Sequence, residues 1–355
     1  MAADENDNVM RDFKDYSLKE HNTFGIEAKC SRYIEYESVD EAIGVAKILR
    51  DSGAPYIIIG GGSNLLLTKD FEGIVVRSSV HKGTGTLCTR QCTRFLSPCA
   101  LLLTVGSGEV FDDVVADCVK HGYYGMENLS LIPGDVGASA VQNIGAYGVE
   151  AKDVIERVEA VRIATGEVVT FSCEDCGYGY RQSKFKNEWK NQYLITHVTY
   201  RLATTFVPHL DYGNIRQELE RKGITAPTAQ QLRDTIIEIR NAKLPDPKVM
   251  GNAGSFFMNP IVDRRKYASL AAEYEGMPHY EIDADHVKIP AGWMIDQCGW
   301  KGKSLGRAGV HDKQALVLVN RGGATGAEIV TLCDTIRRDV KEKFGIDIYP
   351  EVNII

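Results

Sequence analysis

The sequence predicts an α+β fold, and three observations support this prediction. A strand over residues 56–59 runs into the glycines at 60–62, and residues 65–67 then continue as strand without opening a helix. Residues 154–163 and 168–171 have the composition of two strands around a short turn. Several amphipathic helices begin at a capping box, in which a Ser or Thr and a Glu or Gln three residues later satisfy the first backbone amides.

The first observation excludes a doubly wound, dinucleotide-binding fold. That fold needs the pattern G-x-G-x-x-G between a strand and a helix, so that the helix N-terminus meets a pyrophosphate. Here the glycine spacing differs and the element that follows is a strand.

Each helix is predicted from its start, its apolar face and its end. The predicted helices cover residues 38–53 (Ser38 and Glu41 as capping box, Gly53 as end), 111–121, a segment from Thr228 and Gln231 to Pro245, and a segment from Thr325 and Glu328 to Gly345. Further strands are expected at 74–77, 193–202 and 346–355. Residues 122–148 are expected to form a loop, and the domain changes near 222–230.

Composition excludes several classes of function. The chain has 355 residues, a formal net charge of −7, 44% hydrophobic and 25% charged residues. A general nucleic-acid binder needs a clustered basic surface, which this charge disfavours. No apolar run approaches the ~20 residues of a membrane helix, and residues 1–15 lack the features of a signal peptide. We therefore expect a cytoplasmic protein without nucleic-acid or membrane partners.

Nine cysteines are scattered along the chain. This odd number is typical of free thiols in a reducing compartment. Cys173 and Cys176 form a C-x-x-C, but a zinc site would need a second pair at suitable spacing. No His-x-x-x-His pattern is present either. We expect structural thiols and no metal; a metal or redox role of the C-x-x-C pair is the alternative.

Two glycine-rich segments are candidates for binding a phosphorylated ligand. One covers residues 60–64 and the other residues 130–148, with glycines at 134, 137, 145 and 148. Glycines let backbone amides approach a ligand closely. Either segment alone is more typical of a tightly packed structural loop, whereas the two together favour a large phosphorylated ligand.

Three further residues have an open interpretation from the sequence alone. Ser255 follows a glycine but lacks the G-x-S-x-G pattern of a nucleophile elbow, so a loop hydrogen bond is its commoner role. Glu351 lies among apolar residues, either exposed on an edge strand or buried against a partner. Arg181 is either a surface residue or an anion ligand.

Taken together, the segments resemble the UDP-N-acetylenolpyruvoylglucosamine reductases of bacterial cell-wall synthesis, and the match covers nearly the whole chain. The order and spacing of several short motifs carry the resemblance: Asn22-Thr-Phe-Gly25, Gly60-Gly-Gly-Ser-Asn64, Ile132-Pro-Gly134, Gln142-Asn-Ile-Gly-Ala-Tyr-Gly148, Tyr180-Arg181, Gly251-Asn-Ala-Gly-Ser-Phe-Phe257, Ala291-Gly-Trp293, Gly309-Val-His311 and Pro350-Glu-Val352.

The resemblance implies a vanillyl-alcohol-oxidase/PCMH-like FAD-binding fold of two subdomains, residues 1–80 and 81–225, followed by an α+β substrate domain, residues 226–355. It implies FAD as cofactor, NADPH as co-substrate and UDP-N-acetylglucosamine enolpyruvate as substrate. We also expect the protein to be a monomer. The implied FAD-binding residues are Gly60, Gly61, Gly62, Ser63, Asn64, Pro133, Gly134, Gly137, Ala138, Ser139, Asn143 and Gly145.

The resemblance also implies roles at the reaction centre. Arg181 would offset the negative charge that builds on the substrate carboxylate, Glu351 in its protonated form would donate a hydrogen bond to it, and Ser255 would protonate the α carbon. The implied ligands of the UDP-sugar are Tyr147, Tyr212, Lys243, Asn259, Tyr280, Lys301 and Gln314; Tyr212 resembles the capping tyrosine of the type I branch.

The chain departs from the family pattern at two places. Asn353 stands where many relatives have a basic residue, and residues 79–104 differ from other members. Two alternatives stay open: a different flavin oxidase of the same fold acting on a sugar or alcohol, and a nucleotide-sugar binding protein without activity. The set Arg181, Ser255 and Glu351 disfavours the oxidase, since such an enzyme needs a base for the substrate hydroxyl.

Overall fold

The computed structural model describes residues 10–81, 88–91 and 100–355. The helices in this part of the chain are α1 (Val39–Ser52), α2 (Phe111–His121), α3 (Val136–Gln142), α4 (Ile215–Arg221), α5 (Ala229–Lys243), α6 (Arg264–Glu273), α7 (Ala291–Gln297) and α8 (Gly326–Phe344). The strands are β1 (Arg11–Ser17), β2 (Lys29–Tyr36), β3 (Tyr56–Ile59), β4 (Leu65–Leu66), β5 (Phe71–Ser78), β6 (Cys88–Gln91), β7 (Ala100–Gly106), β8 (Gly145–Ala146), β9 (Val149–Glu150), β10 (Ile155–Arg162), β11 (Val168–Ser172), β12 (Tyr193–Ala203), β13 (Ile261–Asp263), β14 (Tyr280–Glu281), β15 (His286–Lys288), β16 (Ser304–Leu305), β17 (Ala308–Val310), β18 (Leu318–Asn320) and β19 (Asn353–Ile354).

The predicted helices start and end where their capping residues indicate. The Ser38 hydroxyl accepts the Glu41 amide at the start of α1, and Gly53 ends that helix in the left-handed conformation with φ 60°. Thr325 and Glu328 form a reciprocal capping box at the start of α8. The mixed α+β class is therefore confirmed, and the glycines at 60–62 are followed by strand β4, as expected.

Two local predictions are wrong. The segment predicted as loop contains α3, because Val136 and Ala140 are buried one turn apart in a hydrophobic core and small residues allow close packing there. The predicted terminal strand over residues 346–355 shrinks to β19, since Pro350 cannot donate to a ladder. Ile346 and Ile348 are buried without strand pairing.

The chain divides into two compact units. The first comprises residues 1–16, 30–61 and 71–240, and the second comprises residues 17–29, 62–70 and 241–355. The chain thus leaves the first unit between Gly61 and Gly62, inside the first glycine-rich segment.

The first unit contains two large sheets and the short pair β8-β9. One has the strand order β1-β2-β5-β3, in which β5 runs parallel to both β2 and β3. The other has the order β11-β10-β12-β7-β6, and its neighbouring strands are antiparallel. Helix α1 shares a core with residues of both sheets, such as Ile34, Val76 and Leu194. A second core joins α2 and α3 to the antiparallel sheet.

The second unit is built from short strands and longer helices. Its sheets have the orders β13-β15-β14 and β16-β17-β18, and β4 pairs with β19 in parallel. The apolar face of α8 is buried, from Ile329 through Ile336 to Phe344. In the part of the chain that the structure describes, no helix has both the length and the apolar character needed to cross a membrane.

Candidate functional site

The two glycine-rich segments meet in the first unit. A Cβ atom added to Gly60 would lie 3.0 Å from the Cβ of Ala138, and one added to Gly61 would lie 3.0 Å from Asp135 Oδ1 and 3.5 Å from the Cα of Gly134. Side chains at 60 and 61 would therefore force the segments apart. The close approach explains why the first segment needs glycine at 60 and 61, and it brings the backbones of the two segments side by side at the carboxyl end of β3.

The second segment is fixed from beneath by buried contacts of α3. A Cβ on Gly137 would lie 2.9 Å from the Cβ of Ser107, so the helix lies directly on the loop after β7. The Ser139 hydroxyl donates to the Val136 carbonyl at 2.6 Å. Asn143, at φ 45°, ends α3 and donates from Nδ2 to Glu150 and to the Gly179 carbonyl. These side-chain contacts hold the loop in place.

A charged network lies at the carboxyl ends of the parallel strands. Arg77 of β5 lies 3.5 Å from Asp135 and 3.4 Å from Glu35, and Glu35 accepts a hydrogen bond from Tyr33. Burial raises the pKa of Asp135 to about 6, although the positive charge of Arg77 works in the opposite direction. Ligands commonly bind at this edge of a parallel sheet.

Arg181 is held in one orientation within the first unit. It lies in a tight turn, where the backbones of Gly179 and Gln182 exchange two hydrogen bonds, and its own φ is 56°. Its Nη2 donates to the Gly145 carbonyl at 2.7 Å, and its guanidinium lies 5.7 Å from the centre of the Tyr180 ring. The residue predicted as an anion ligand is therefore anchored to the second glycine-rich segment.

The two tyrosines predicted to bind the sugar nucleotide lie close together. A Cβ on Gly148 would lie 3.4 Å from the Cβ of Tyr212, and one on Gly213 would lie 3.8 Å from the Tyr147 ring. Tyr147 is half-buried with φ 50°, and burial raises its pKa.

Arg240 joins this group, and the sequence did not single it out. Burial lowers the pKa of Arg240, Tyr147 and Asp112 raise it, and the nearby positive charge of Arg181 lowers it. Its Nε is enclosed and has no hydrogen-bond partner among the described residues. Arg240 lies seven residues after Arg233 on α5, so both arginines lie on the same face of the helix. This spacing is the one feature of the sequence that could have indicated Arg240.

In the second unit, backbone pairing joins the segment that contains Ser255 to the segment that contains Glu351. The Glu351 amide donates to the Phe256 carbonyl at 2.8 Å, and the Met258 amide donates to the Tyr349 carbonyl at 2.9 Å. Phe256 is completely buried, whereas Ser255 is exposed. The two predicted catalytic residues thus lie on neighbouring segments, with the serine facing outward from a fixed backbone.

Residues 62–64, the rest of the first glycine-rich segment, lie beside the segment of Glu351. Gly62 has φ 68°, and a Cβ there would lie 2.0 Å from the His21 carbonyl oxygen, so no other residue fits without movement. Asn64 Nδ2 donates to the Glu351 carbonyl at 3.3 Å, and Ser63 between them is half-buried. Asn353 donates from Nδ2 to the Asn64 carbonyl at 3.1 Å. The unusual Asn353 therefore fixes the glycine-rich segment.

Two predicted substrate ligands converge at the start of α7. Asn259 Oδ1 accepts the Ala291 amide at 2.9 Å. Gln314 Oε1 would lie 3.1 Å from a Cβ on Gly292, the next residue of that helix. The remaining three are more scattered: Lys243 is exposed at the end of α5, Tyr280 lies on β14 with Lys288 5.6 Å from its ring centre, and exposed Lys301 lies 3.5 Å from Asp296.

Comparison with known proteins gives concordant results. Residues 246–355 match the C-terminal domain of UDP-N-acetylenolpyruvoylglucosamine reductase, and residues 30–172 match an FAD binding domain. The chain is 55% identical over 341 residues to UDP-N-acetylenolpyruvoylglucosamine reductase of Bacteroides fragilis strain YCH46, covering 96% of this chain and 99% of the relative. It is 48% identical over 342 residues to the enzyme of that name from Porphyromonas gingivalis strain W83, covering 96% and 98%.

A solved structure supports the fold. The crystal structure of UDP-N-acetylenolpyruvylglucosamine reductase from Thermus caldophilus superposes with a TM-score of 0.65 at 22% identity, covering 98% of each chain. At this identity the likeness concerns the fold alone, and it agrees with the FAD-binding architecture that the sequence predicts.

Proposed function

Because the chain belongs to the family of UDP-N-acetylenolpyruvoylglucosamine reductases, we propose that Arg181, Ser255 and Glu351 serve its reaction and that the two glycine-rich segments bind its flavin. The chain is an FAD-containing, NADPH-dependent oxidoreductase. It reduces UDP-N-acetylglucosamine enolpyruvate to UDP-N-acetylmuramate in the synthesis of peptidoglycan precursors.

The flavin assignment is supported by the contact of the two glycine-rich segments. Two loops of small residues at the carboxyl end of β3 offer backbone amides to a diphosphate, and glycine at 60 and 61 is what permits their approach. These loops would hold FAD, which would supply hydride transfer from NADPH to the unsaturated carbon of the substrate. The proposed ligands are those at 60–64, 133–134, 137–139, 143 and 145.

The single observation that carries the catalytic proposal is the backbone pair between Phe256 and Glu351. It holds an exposed hydroxyl and a carboxyl on adjacent segments, with the serine backbone fixed by the buried Phe256. We assign Ser255 the delivery of a proton to the α carbon. Although a hydroxyl is a weak acid, an enolate carbon is a strong base, and close positioning makes the transfer possible.

Arg181 has the opposite task, the stabilisation of negative charge. Addition of a hydride to the β carbon moves charge onto the carboxylate, and a guanidinium already oriented by the Gly145 carbonyl needs no reorganisation to receive it. Glu351, in its protonated form, would donate a hydrogen bond to the same carboxylate. A preorganised donor of this kind typically contributes ~3–4 kcal/mol in the transition state.

The UDP-sugar would be bound by aromatic and amide side chains, with lysines for its diphosphate. Tyr147 and Tyr212 form one group, and Asn259 and Gln314 form another at α7. Lys243, Tyr280 and Lys301 complete the proposed set. We also retain the division into two flavin-binding subdomains, residues 1–80 and 81–225, and a substrate domain, residues 226–355.

We further propose that the protein is cytoplasmic and has no nucleic-acid or membrane partners. A charge of −7 supports a protein without nucleic-acid partners. The described cysteines are free thiols, which supports a cytoplasmic location: Cys30, Cys118, Cys173, Cys176, Cys298 and Cys333.

We propose that the chain acts as a monomer. Sedimentation of the holoenzyme should then give a mass near the 39.2 kDa of one chain. Twice that mass would refute the proposal.

The test separates the two half-reactions of Ser255→Ala under anaerobic conditions. NADPH should bleach the flavin of the variant at the wild-type rate, whereas subsequent addition of UDP-N-acetylglucosamine enolpyruvate should restore its colour more slowly by roughly 10²–10⁴-fold. Ser269→Ala, an exposed serine on α6, is the matched control and should behave as wild type. Equal loss of both phases in Ser255→Ala would contradict the assignment.

A further inference from the structure

Leu131 adopts a backbone conformation that leucine rarely takes. Its φ is 58°, in the left-handed region where the Cβ of an L-residue crowds the following carbonyl oxygen. The next residues, Ile132, Pro133 and Gly134, form the start of the second glycine-rich segment, and Gly134 has φ 116°. A strained residue persists only where its surroundings hold it, and such residues cluster at functional sites.

An ion pair between Asp112 and Arg233 holds the backbone of Leu131. Its amide donates to Asp112 Oδ1 at 2.5 Å. The same carboxylate accepts two hydrogen bonds from the Arg233 guanidinium, from Nη1 to Oδ1 at 2.7 Å and from Nη2 to Oδ2 at 3.0 Å. The side chains of Arg233 and Asp112 are only 9% and 20% exposed, so the fork-to-fork geometry is shielded from water.

The other end of the loop is held by the neighbouring residue. The Phe111 amide donates to the Gly134 carbonyl at 2.9 Å. Phe111 and Asp112 are the first two residues of α2, so one turn of helix binds the amide that enters the loop and the carbonyl that leaves it. Arg233 on α5 in turn fixes the carboxylate. Three residues on two helices thus hold both ends of the four-residue backbone 131–134.

We propose that Asp112 and Arg233 are positioning residues for the flavin: their ion pair holds Leu131 in the left-handed conformation from which the backbone of Ile132, Pro133 and Gly134 is presented to the cofactor. This inference rests on the proposed flavin-binding role of that loop. It explains why a shielded ion pair, costly to desolvate, is kept at the start of α2.

The test measures the affinity of the apoprotein for FAD by flavin fluorescence. Asp112→Ala should weaken binding by about tenfold, because the loop relaxes when Leu131 leaves the left-handed region. The double variant Asp112→Ala/Leu131→Gly should recover most of the lost affinity, since glycine takes a positive φ without strain. Recovery separates positioning from a general loss of structure, which a second substitution would not repair.

The matched control removes a carboxylate from another forked pair of the same unit. Glu156 accepts two hydrogen bonds from Arg201 on the exposed face of the antiparallel sheet, and Glu156→Ala should leave FAD affinity unchanged. If Asp112→Ala does not fold, the variants Leu131→Val and Leu131→Gly are compared instead. A β-branched residue tolerates a positive φ least. Leu131→Val should therefore weaken FAD binding, and Leu131→Gly should not.

Two outcomes would overturn the proposal. One is wild-type FAD affinity in a folded Asp112→Ala variant. The other is a double variant Asp112→Ala/Leu131→Gly that binds FAD no more tightly than Asp112→Ala. Gly134→Ala shows which premise fails: if this strained substitution leaves FAD affinity unchanged, the loop does not bind the flavin; if it weakens binding while Asp112→Ala does not, only the ion-pair inference fails.

Discussion

Arg240 lies in an environment that disfavours its positive charge, so an anionic ligand would stabilise it. Burial disfavours its charge, Arg181 repels it, and its Nε has no hydrogen-bond partner among the described residues. A buried guanidinium without full pairing destabilises a protein unless an anion binds there. The substrate carries both a carboxylate and a diphosphate, so an anionic group reaching Tyr147 and Arg181 would complete this environment.

Arg240→Met should separate stability from binding. The melting temperature of the substrate-free holoenzyme should rise by about 2–4 °C, since a half-buried guanidinium whose Nε has no hydrogen-bond partner among the described residues is replaced by an apolar chain of similar length. Affinity for UDP-N-acetylglucosamine enolpyruvate should fall about 10–100-fold, as charged hydrogen bonds are lost. Calorimetry measures both. Arg201→Met, at an exposed pair, should change neither, and a lower melting temperature for Arg240→Met would indicate a structural role.

Asp135 should make stability depend on pH in a defined window. Burial raises its pKa to about 6 in the folded chain, against 3.8 for an ordinary Asp. Between these values the folded state binds more protons than the unfolded state, so the free energy of unfolding falls as pH rises from about 4 to about 6. The groups that act on Asp135 are Arg77, which lowers its pKa with His81, and Glu35, which raises it.

Asp135→Asn should remove this pH dependence. Over pH 4 to 6.5 the free energy of unfolding of the wild type should lose about 2–3 kcal/mol more than that of the variant. Urea unfolding of the apoprotein at several pH values measures the difference. Asp113→Asn, an exposed carboxyl on α2, should leave the wild-type slope in place. An identical slope in Asp135→Asn would show that its carboxyl titrates normally.

At the scale of elements, two helical glycines look alike in sequence and should respond in opposite ways to alanine. Gly44 lies in α1 with nothing within 4 Å of an added Cβ, whereas a Cβ on Gly326, the first residue of α8, would lie 1.9 Å from the Leu67 carbonyl oxygen. Gly44→Ala should stabilise the protein by about 0.5–1 kcal/mol through helix propensity. Gly326→Ala should destabilise it by about 3 kcal/mol or more, because a backbone must move. Thermal unfolding of the two variants measures this, and equal effects would contradict it.

The helices were the most predictable elements. Their starts depend on a side chain bonding to amides within three residues, so Ser38 and Thr325 mark them without any tertiary information. Helix α3 was missed because its seven residues, Val136–Gln142, are small and lack an amphipathic repeat of useful length. It is held by burial against the second core of the first unit, which no local pattern reports.

At the scale of the molecule, the order of the motifs identifies the family but not the division of the chain. We expected the boundary near residues 222–230. In the structure the chain passes from the first compact unit to the second after residue 240, and it also passes between the units near residues 16, 29, 61 and 70. The second unit takes residues 17–29 and 62–70 from the N-terminal part because β4 pairs with β19, and Gly251 packs on Phe24. Such pairings join residues that are far apart in sequence, so periodicity cannot show them.

The sequence by itself determined the α+β class, the exclusion of a dinucleotide-binding fold, the helix starts and the motifs of a flavin-dependent reductase, since each depends on neighbouring residues or on a fixed order of short patterns. Only the tertiary structure decided that the segment of Ser255 pairs with the segment of Glu351 and that the glycine-rich segments touch at Gly61. It alone revealed Arg240 and the hold of Asp112 on Leu131. These depend on burial and on long-range backbone pairing, which a linear pattern does not encode.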